Sequence, residues 1–219
     1  MSQVEPIALG FSIVSGTYSS SLSFGDVELP DPEGRACFVG FIDPDYEPVW
    51  VRAYTSSTDI TDCRIRVLGT TVVVFGSRSG DVRLDGEAAL AAGVSDFLSL
   101  LDLSDGSPKW TSSVDGDVAD ALGEALRVNA LVRQSPCPGC DDAITLVSFA
   151  SESGDVLAST PVVTGPSLGS PRVQAGLVFT SGGQGRLADM PGSSVDCTAG
   201  TVASSLLVAD IGFGLPSMF

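Results

Sequence analysis

Apolar residues along this chain come in short bursts separated by turn-forming residues, and the bursts recur. Four segments share one form, an apolar strand ending near a small residue. They are IALGFSIVSG (Ile7–Gly16), VLGTTVVVFG (Val67–Gly76), RVNALVRQS (Arg127–Ser135) and VQAGLVFTSG (Val173–Gly182). Gly16 and Gly76 lie 60 residues apart, and Gly76 and Gly182 lie 106 apart, about two periods of 53, with the third copy between them.

A second series keeps step with the first. FVGFIDPDYEPVW (Phe38–Trp50) matches FLSLLDLSDGSPKW (Phe97–Trp110), ITLVSFASESGDVLAS (Ile144–Ser159) is a weaker copy, and SSLLVADIGFG (Ser204–Gly214) stops before any Trp. Two motif series in a common order point to a repeat architecture. FVGFID and FLSLLD mix alternating and continuous apolar character, as strands buried on one or both faces do. DPDYEP and DLSDGSP supply turn residues, and the Trp beyond each begins a return strand. Polar hairpin candidates, SGTYSSSLSFGDVELPDPEG and GSRSGDVRLDGEAALAAG, sit between the two series.

Each repeat thus offers about four short strands, the number in a blade of a β-propeller. The chain reads as one all-β domain over 1–219, with repeats at about 6–65, 66–120, 121–165 and 166–219. Two stretches carry tolerable helical spacing, Gly86–Leu103 and Ala119–Val132. Repeat register makes DFLSLLDL and RVNALV strands, with a short helical turn expected at Asp120–Ala125. Four repeats leave two arrangements open, a closed four-bladed ring or an incomplete member of a longer array with exposed edges.

Composition narrows the partners. The chain has 219 residues, 25 Gly, 13 Pro and a net charge of −16. Such a surface repels phosphate backbones and anionic membranes, so neither nucleic acid nor membrane insertion is expected. No apolar run reaches the length of a transmembrane helix, and the N-terminus lacks the marks of a signal peptide. The chain therefore reads either as cytosolic or as a piece of an exported protein.

The run from Gly76 to Trp110, G-x-x-S-G-D-V-x-L-D-G … S-D-F-L-x-L-L-D-x-x-D-G-x-x-x-W, resembles bacterial cell-surface propeller repeats of the SBBP type. Its last part, Asp102–Trp110, is also similar to the repeat of pyrroloquinoline-quinone-type propellers. The first copy fits with one residue fewer in the turn, and the third keeps Gly154 but has no Trp. The resemblance implies that turn glycines and Trp pack blades together, so Trp50, Trp110, Gly16, Gly76 and Gly182 are expected to be structural, inter-blade residues. It also implies an extracellular or cell-surface setting. No cofactor-binding residue carries over.

Candidate chemistry is sparse. The absence of histidine removes Ser-His-Asp and Cys-His mechanisms and the usual zinc ligand. Cys137-Pro-Gly-Cys140 is a C-x-x-C without the βαβ setting of a redox motif or a second pair for zinc, and reads as a candidate loop disulfide. Cys37 with Cys63 is a second candidate bridge, leaving Cys197 over. Asp43/Asp45, Asp102/Asp105, Asp115/Asp117 and Asp141/Asp142 cluster at turns, where calcium is conceivable but solvated turn residues are the ordinary outcome. No catalytic, cofactor or metal residue is singled out. GSRSG and GGQG lack the Lys of a phosphate loop and read as hairpin turns.

The function that follows is a non-enzymatic binding or scaffold module presenting loops to a protein or glycan at a bacterial cell surface. Two alternatives stand beside it: a secreted carboxylate-dependent glycosidase or lyase with Asp residues at the propeller mouth, and a purely structural segment of a longer surface protein. A funnel with clustered carboxylates and an aromatic wall would favour the enzyme.

Overall fold

The computed structural model describes residues 3–124, 127–134, 142–165, 172–174, 177–181, 186–187 and 206–210, with side chains described as far as residue 162. Cys137, Cys140, Gly182 and Cys197 lie outside these residues, as do Asp141 and the side chain of Asp142.

The chain is all-β, and its sheets follow one another along the chain. In the first unit, β1 (Gln3–Pro6), β2 (Ser12–Tyr18), β5 (Ala36–Ile42) and β6 (Pro48–Thr55) form an antiparallel meander, with a small hairpin, β3 (Ser23–Phe24) and β4 (Val27–Glu28), between β2 and β5. The second unit repeats the plan with β7 (Arg64–Leu68), β8 (Thr71–Arg78), β11 (Ser95–Asp102) and β12 (Pro108–Val114). Its own inserted hairpin, β9 (Val82–Leu84) and β10 (Glu87–Leu90), crosses back and pairs with β6 of the first sheet, Tyr54 opposite Leu84 and Thr55 opposite Arg83.

The third sheet holds β13 (Asp117–Glu124), β14 (Arg127–Gln134), β15 (Asp142–Ala150) and β16 (Val156–Gly165). β17 (Arg172–Gln174), β18 (Leu177–Ser181) and β20 (Leu206–Asp210) form the fourth. Between β18 and β20, β19 (Arg186–Leu187) pairs with β16 of the third sheet. A strand inserted between the second and third strands of a unit thus clasps the preceding sheet twice along the chain.

Two helix-like stretches are strands. Gly86–Leu103 holds β10 and β11. The helical turn expected at Asp120 is absent, because residues up to Glu124 pair with β14 and the Asp120 carboxylate is held by Arg66 of the neighbouring sheet. The first apolar segment also differs from expectation. Its strand starts only at Ser12, because Ala8–Gly10 makes a 3-10 turn with Leu9 at φ 63° and closes the β1–β2 hairpin.

The first three sheets stack face to face, which explains the continuous apolar run of β8. Side chains alternate across a strand, so Val72 and Val74 enter a core with Ile13, Val39, Trp50 and Tyr54 of the first sheet. Val73 and Phe75 enter a second core with Val118, Ala130, Val132 and Phe149 of the third. Between these cores Ser99 is fully buried; it accepts from the Tyr54 hydroxyl (3.0 Å) and donates to the Trp110 carbonyl (3.2 Å). Burial pushes the Tyr54 hydroxyl far above its ordinary pKa. The architecture is a series of blade-like antiparallel sheets, a β-propeller-like arrangement.

A disulfide joins the first two sheets. Cys37 on β5 is bonded to Cys63, which precedes β7, with 5.6 Å between Cα atoms and both residues buried.

Candidate interaction surface

The return turns determine how sheets meet. In the second unit the Asp102 N–H donates to the Ser107 carbonyl and the Gly106 N–H to the Asp102 carbonyl, leaving Gly106 at φ 69°. The Asp102 carboxylate accepts from the hydroxyl and N–H of Ser104, which lowers its pKa. Onto this turn comes Trp50 of the first sheet, its Nε1 donating to the Leu103 carbonyl at 2.9 Å, while Arg52 donates to the carbonyls of Gly106 and Asp105. One unit later Trp110 Nε1 donates to the Ser151 carbonyl at 3.0 Å, and Gly154 takes φ 73° against its indole.

The first unit's turn is built otherwise. Asp43 N–H donates to the Glu47 carbonyl, and Asp43 Oδ1 accepts from the N–H groups of Asp45 and Glu47. The residue in the left-handed region is Tyr46, φ 68°, with its side chain 88% exposed. A Cβ stands where the later units leave room for an indole, so this turn cannot take a Trp in the same way.

The face of the first sheet that looks away from the second is largely apolar. Gln3 and Glu5 of β1 reach the second sheet, Gln3 receiving the Ile65 N–H and Glu5 the Val67 N–H and the Arg66 guanidinium. Val4 therefore points the other way. Beside it on that outer face lie Val14, Ile42 and Val51, whose side chains converge on Gly40, within 3.4–3.6 Å of where its Cβ would be.

Register gives each of these a counterpart. Val4 pairs with Val14 as Ile65 pairs with Val74. Ile65 is 0% exposed because the first sheet covers it, whereas Val4 is 62% exposed. The β3–β4 hairpin covers only part of the face: Phe24 lies 5.0 Å from Phe38, and Leu22 and Phe24 pack on the cluster of Tyr18, Leu29, Ala36, Val51 and Ala53. The Tyr18 hydroxyl donates to the Pro30 carbonyl at 3.0 Å, and its pKa is pushed up to about 12 by burial and then by Asp85 and Asp31.

Acidic groups frame this face. Asp26 and Glu28 lie on the covering hairpin, and Asp43, Asp45 and Glu47 on the turn; none is in an ion pair among the described residues. A Cβ on Gly25 would stand 3.5 Å from Glu47 Oε2, so the hairpin tip adjoins the turn. Arg35 is the only cation between residues 19 and 50.

The first strands of successive units carry the other polar cluster. Arg66 grips the Asp120 carboxylate through Nε (2.9 Å) and a second nitrogen (3.2 Å) and also binds Glu5 at 2.9 Å, tying three sheets together. Arg64 donates to the carbonyls of Val118 and Ala119, lies over the Phe75 ring at 4.8 Å and pairs with Asp62 and Asp117. Its carboxylates face guanidinium groups. Asp96, whose pKa burial raises, is enclosed and accepts the Val118 N–H at 2.6 Å. Among the described residues no three metal-ligating side chains converge, and no helix is long and apolar enough to cross a membrane.

The residues singled out in the sequence are dispersed. Trp50 and Trp110 lie on successive turns, Gly16 sits in β2 opposite Phe38, and a Cβ on Gly76 would collide with the Asp62 carbonyl. Asp43 and Asp102 cap turns, Asp105 receives the Ser107 N–H, and Asp117 pairs with arginines. Sequence reading passed over Tyr46 and the outer face. Their signal was present in a tyrosine at the turn glycine's place and in the single Arg35 among many acids.

No family model matches the chain, and no curated protein matches it. Among solved structures the chain is similar to BamB from Moraxella catarrhalis, at 14% identity and a TM-score of 0.39, over 81% of this chain and 57% of that one, so it spans little more than half that protein's length.

Proposed function

We propose that this chain is a non-enzymatic, propeller-type scaffold module that binds a protein through the outer face of its first sheet. The observation behind this reading is the contrast between Val4 and Ile65, equivalent positions of which one is exposed and the other sealed under a neighbouring sheet. Exposed contiguous apolar surface rimmed by polar residues marks interaction sites. The Cys37–Cys63 disulfide supports an exported or cell-surface location, since such bonds persist in oxidising compartments. Glycan recognition has less support, because the face is built of valines and isoleucine, and among the described residues Tyr46 on the bordering turn is the one exposed aromatic ring.

A photo-crosslinking residue placed at Ile42, with a second at exposed Asp155 as control, tests the reading in cells of the producing organism. A discrete protein adduct at residue 42 that is lost in a Val4→Glu background supports it. Equal labelling at both positions, or none at 42, overturns it.

A further inference from the structure

The face specifies what covers it. Inside the molecule, the equivalent face of the second sheet is covered by another sheet, whose Ile13, Val39 and Trp50 rows meet Ile65, Val74 and Phe97. Continuity with that interface calls for an apolar β-surface here too. Tyr46 adds a restriction, because its Cβ stands where a glycine admits an indole. The occupant therefore lacks a Trp at that point, or seats it elsewhere.

Charge restricts the occupant further. The border carries Asp26, Glu28, Asp43, Asp45 and Glu47 without ion-pair partners among the described residues. Two copies meeting face to face would set these acids against each other, and a copy docking by any other surface brings a chain of net charge −16. Complementary potentials guide association and like charges oppose it. From the apolar row and its acidic border, and resting on the scaffold reading above, we infer that the first sheet docks a cationic β-surface of a different protein, with apolar side chains on one row and Lys or Arg at its rim.

Disulfide-closed hairpin peptides of alternating Val and Lys serve as the probe, with one control replacing Lys by Glu and another replacing Val by Thr. Binding to the whole chain is followed by fluorescence anisotropy and by amide NMR shifts. The Val/Lys hairpin is expected to bind with shifts at Val4, Val14 and Ile42, and to weaken about tenfold from low to half-molar salt as the rim charges are screened. Val4→Glu removes binding; the side chain is exposed, so an unchanged melting temperature shows that the fold persists. Asp45→Lys with Glu47→Lys weakens binding several-fold with the apolar row intact.

If the Val/Glu hairpin binds equally well, the cationic occupant is overturned while the docking face stands. If the Thr/Lys hairpin binds as well as Val/Lys, or no hairpin binds, both this inference and the apolar docking face fail. Self-association abolished by Val4→Glu identifies a second copy as the occupant and overturns the inference.

Discussion

Gly106 lies so close to the Trp50 indole that a methyl group on its Cα would stand 2.7 Å from Cδ2 and Cε3. The missing side chain is what lets one sheet's tryptophan rest on the next sheet's turn. Gly106→Ala is expected to cost about 1–2 kcal/mol for the left-handed backbone alone, and more for displacing the ring. Trp50→Ala should cost about 3–5 kcal/mol. In urea unfolding the double variant should lose less than the sum of the two, because the two residues share one contact; strict additivity would show that they act independently.

The disulfide closes a loop between residues 26 apart in sequence and joins two sheets. Replacing Cys37 and Cys63 by Ala should lower stability by about 3 kcal/mol. Both sulfurs are buried, so reductant should act on the native protein only as fast as it opens. Melting curves with and without reductant, and thiol labelling over time, check both points.

Asp96 has its pKa raised by burial, so the native state holds this proton more tightly than the unfolded chain. Stability contributed by the protonated acid is present below the ordinary carboxylate range and is lost as pH rises through the raised value. Asp96→Asn keeps an acceptor for the Val118 N–H and should flatten that part of the profile. Urea unfolding at a series of pH values reads the slope, and an unchanged slope would place the pH dependence elsewhere.

Arg66 neutralises Asp120, whose side chain is 2% exposed. The Arg66 side chain is 34% exposed, so Arg66→Ala should cost about 1–3 kcal/mol, the loss expected when a buried charged acceptor gives up one partner. Replacing both by apolar residues of similar volume, Arg66→Met with Asp120→Leu, should cost less than the single change. Denaturant midpoints compare the two.

Local patterns in the sequence carried the strands and turns well. FLSLLDLSDGSPKW reads directly as β11, a capped turn and β12, because apolar alternation, Asp and Gly act over a few residues. The partner of the β9–β10 hairpin was not legible: backbone pairing between Tyr54 and Leu84 leaves no mark in composition. ADALGE misled in the opposite sense. Its helix-forming residues yield to hairpin pairing with β14 and to the grip of Arg66 on Asp120, since context outweighs propensity. The outer face was hidden for a related reason, because Val4 and Ile65 are both apolar and differ only in what lies over them.

The clasp formed by β9 and β10 has a consequence for biosynthesis. The first sheet borrows its last two strands from beyond the start of the second unit, so its edge at β6 stays open until Leu90 has left the ribosome. During that interval β6 is a bare template, and the nearest competing strands belong to neighbouring nascent chains on the same message. Synthesis speed between Thr55 and Leu90 should therefore influence yield, since a pause there prolongs the time in which strangers can fill the gap.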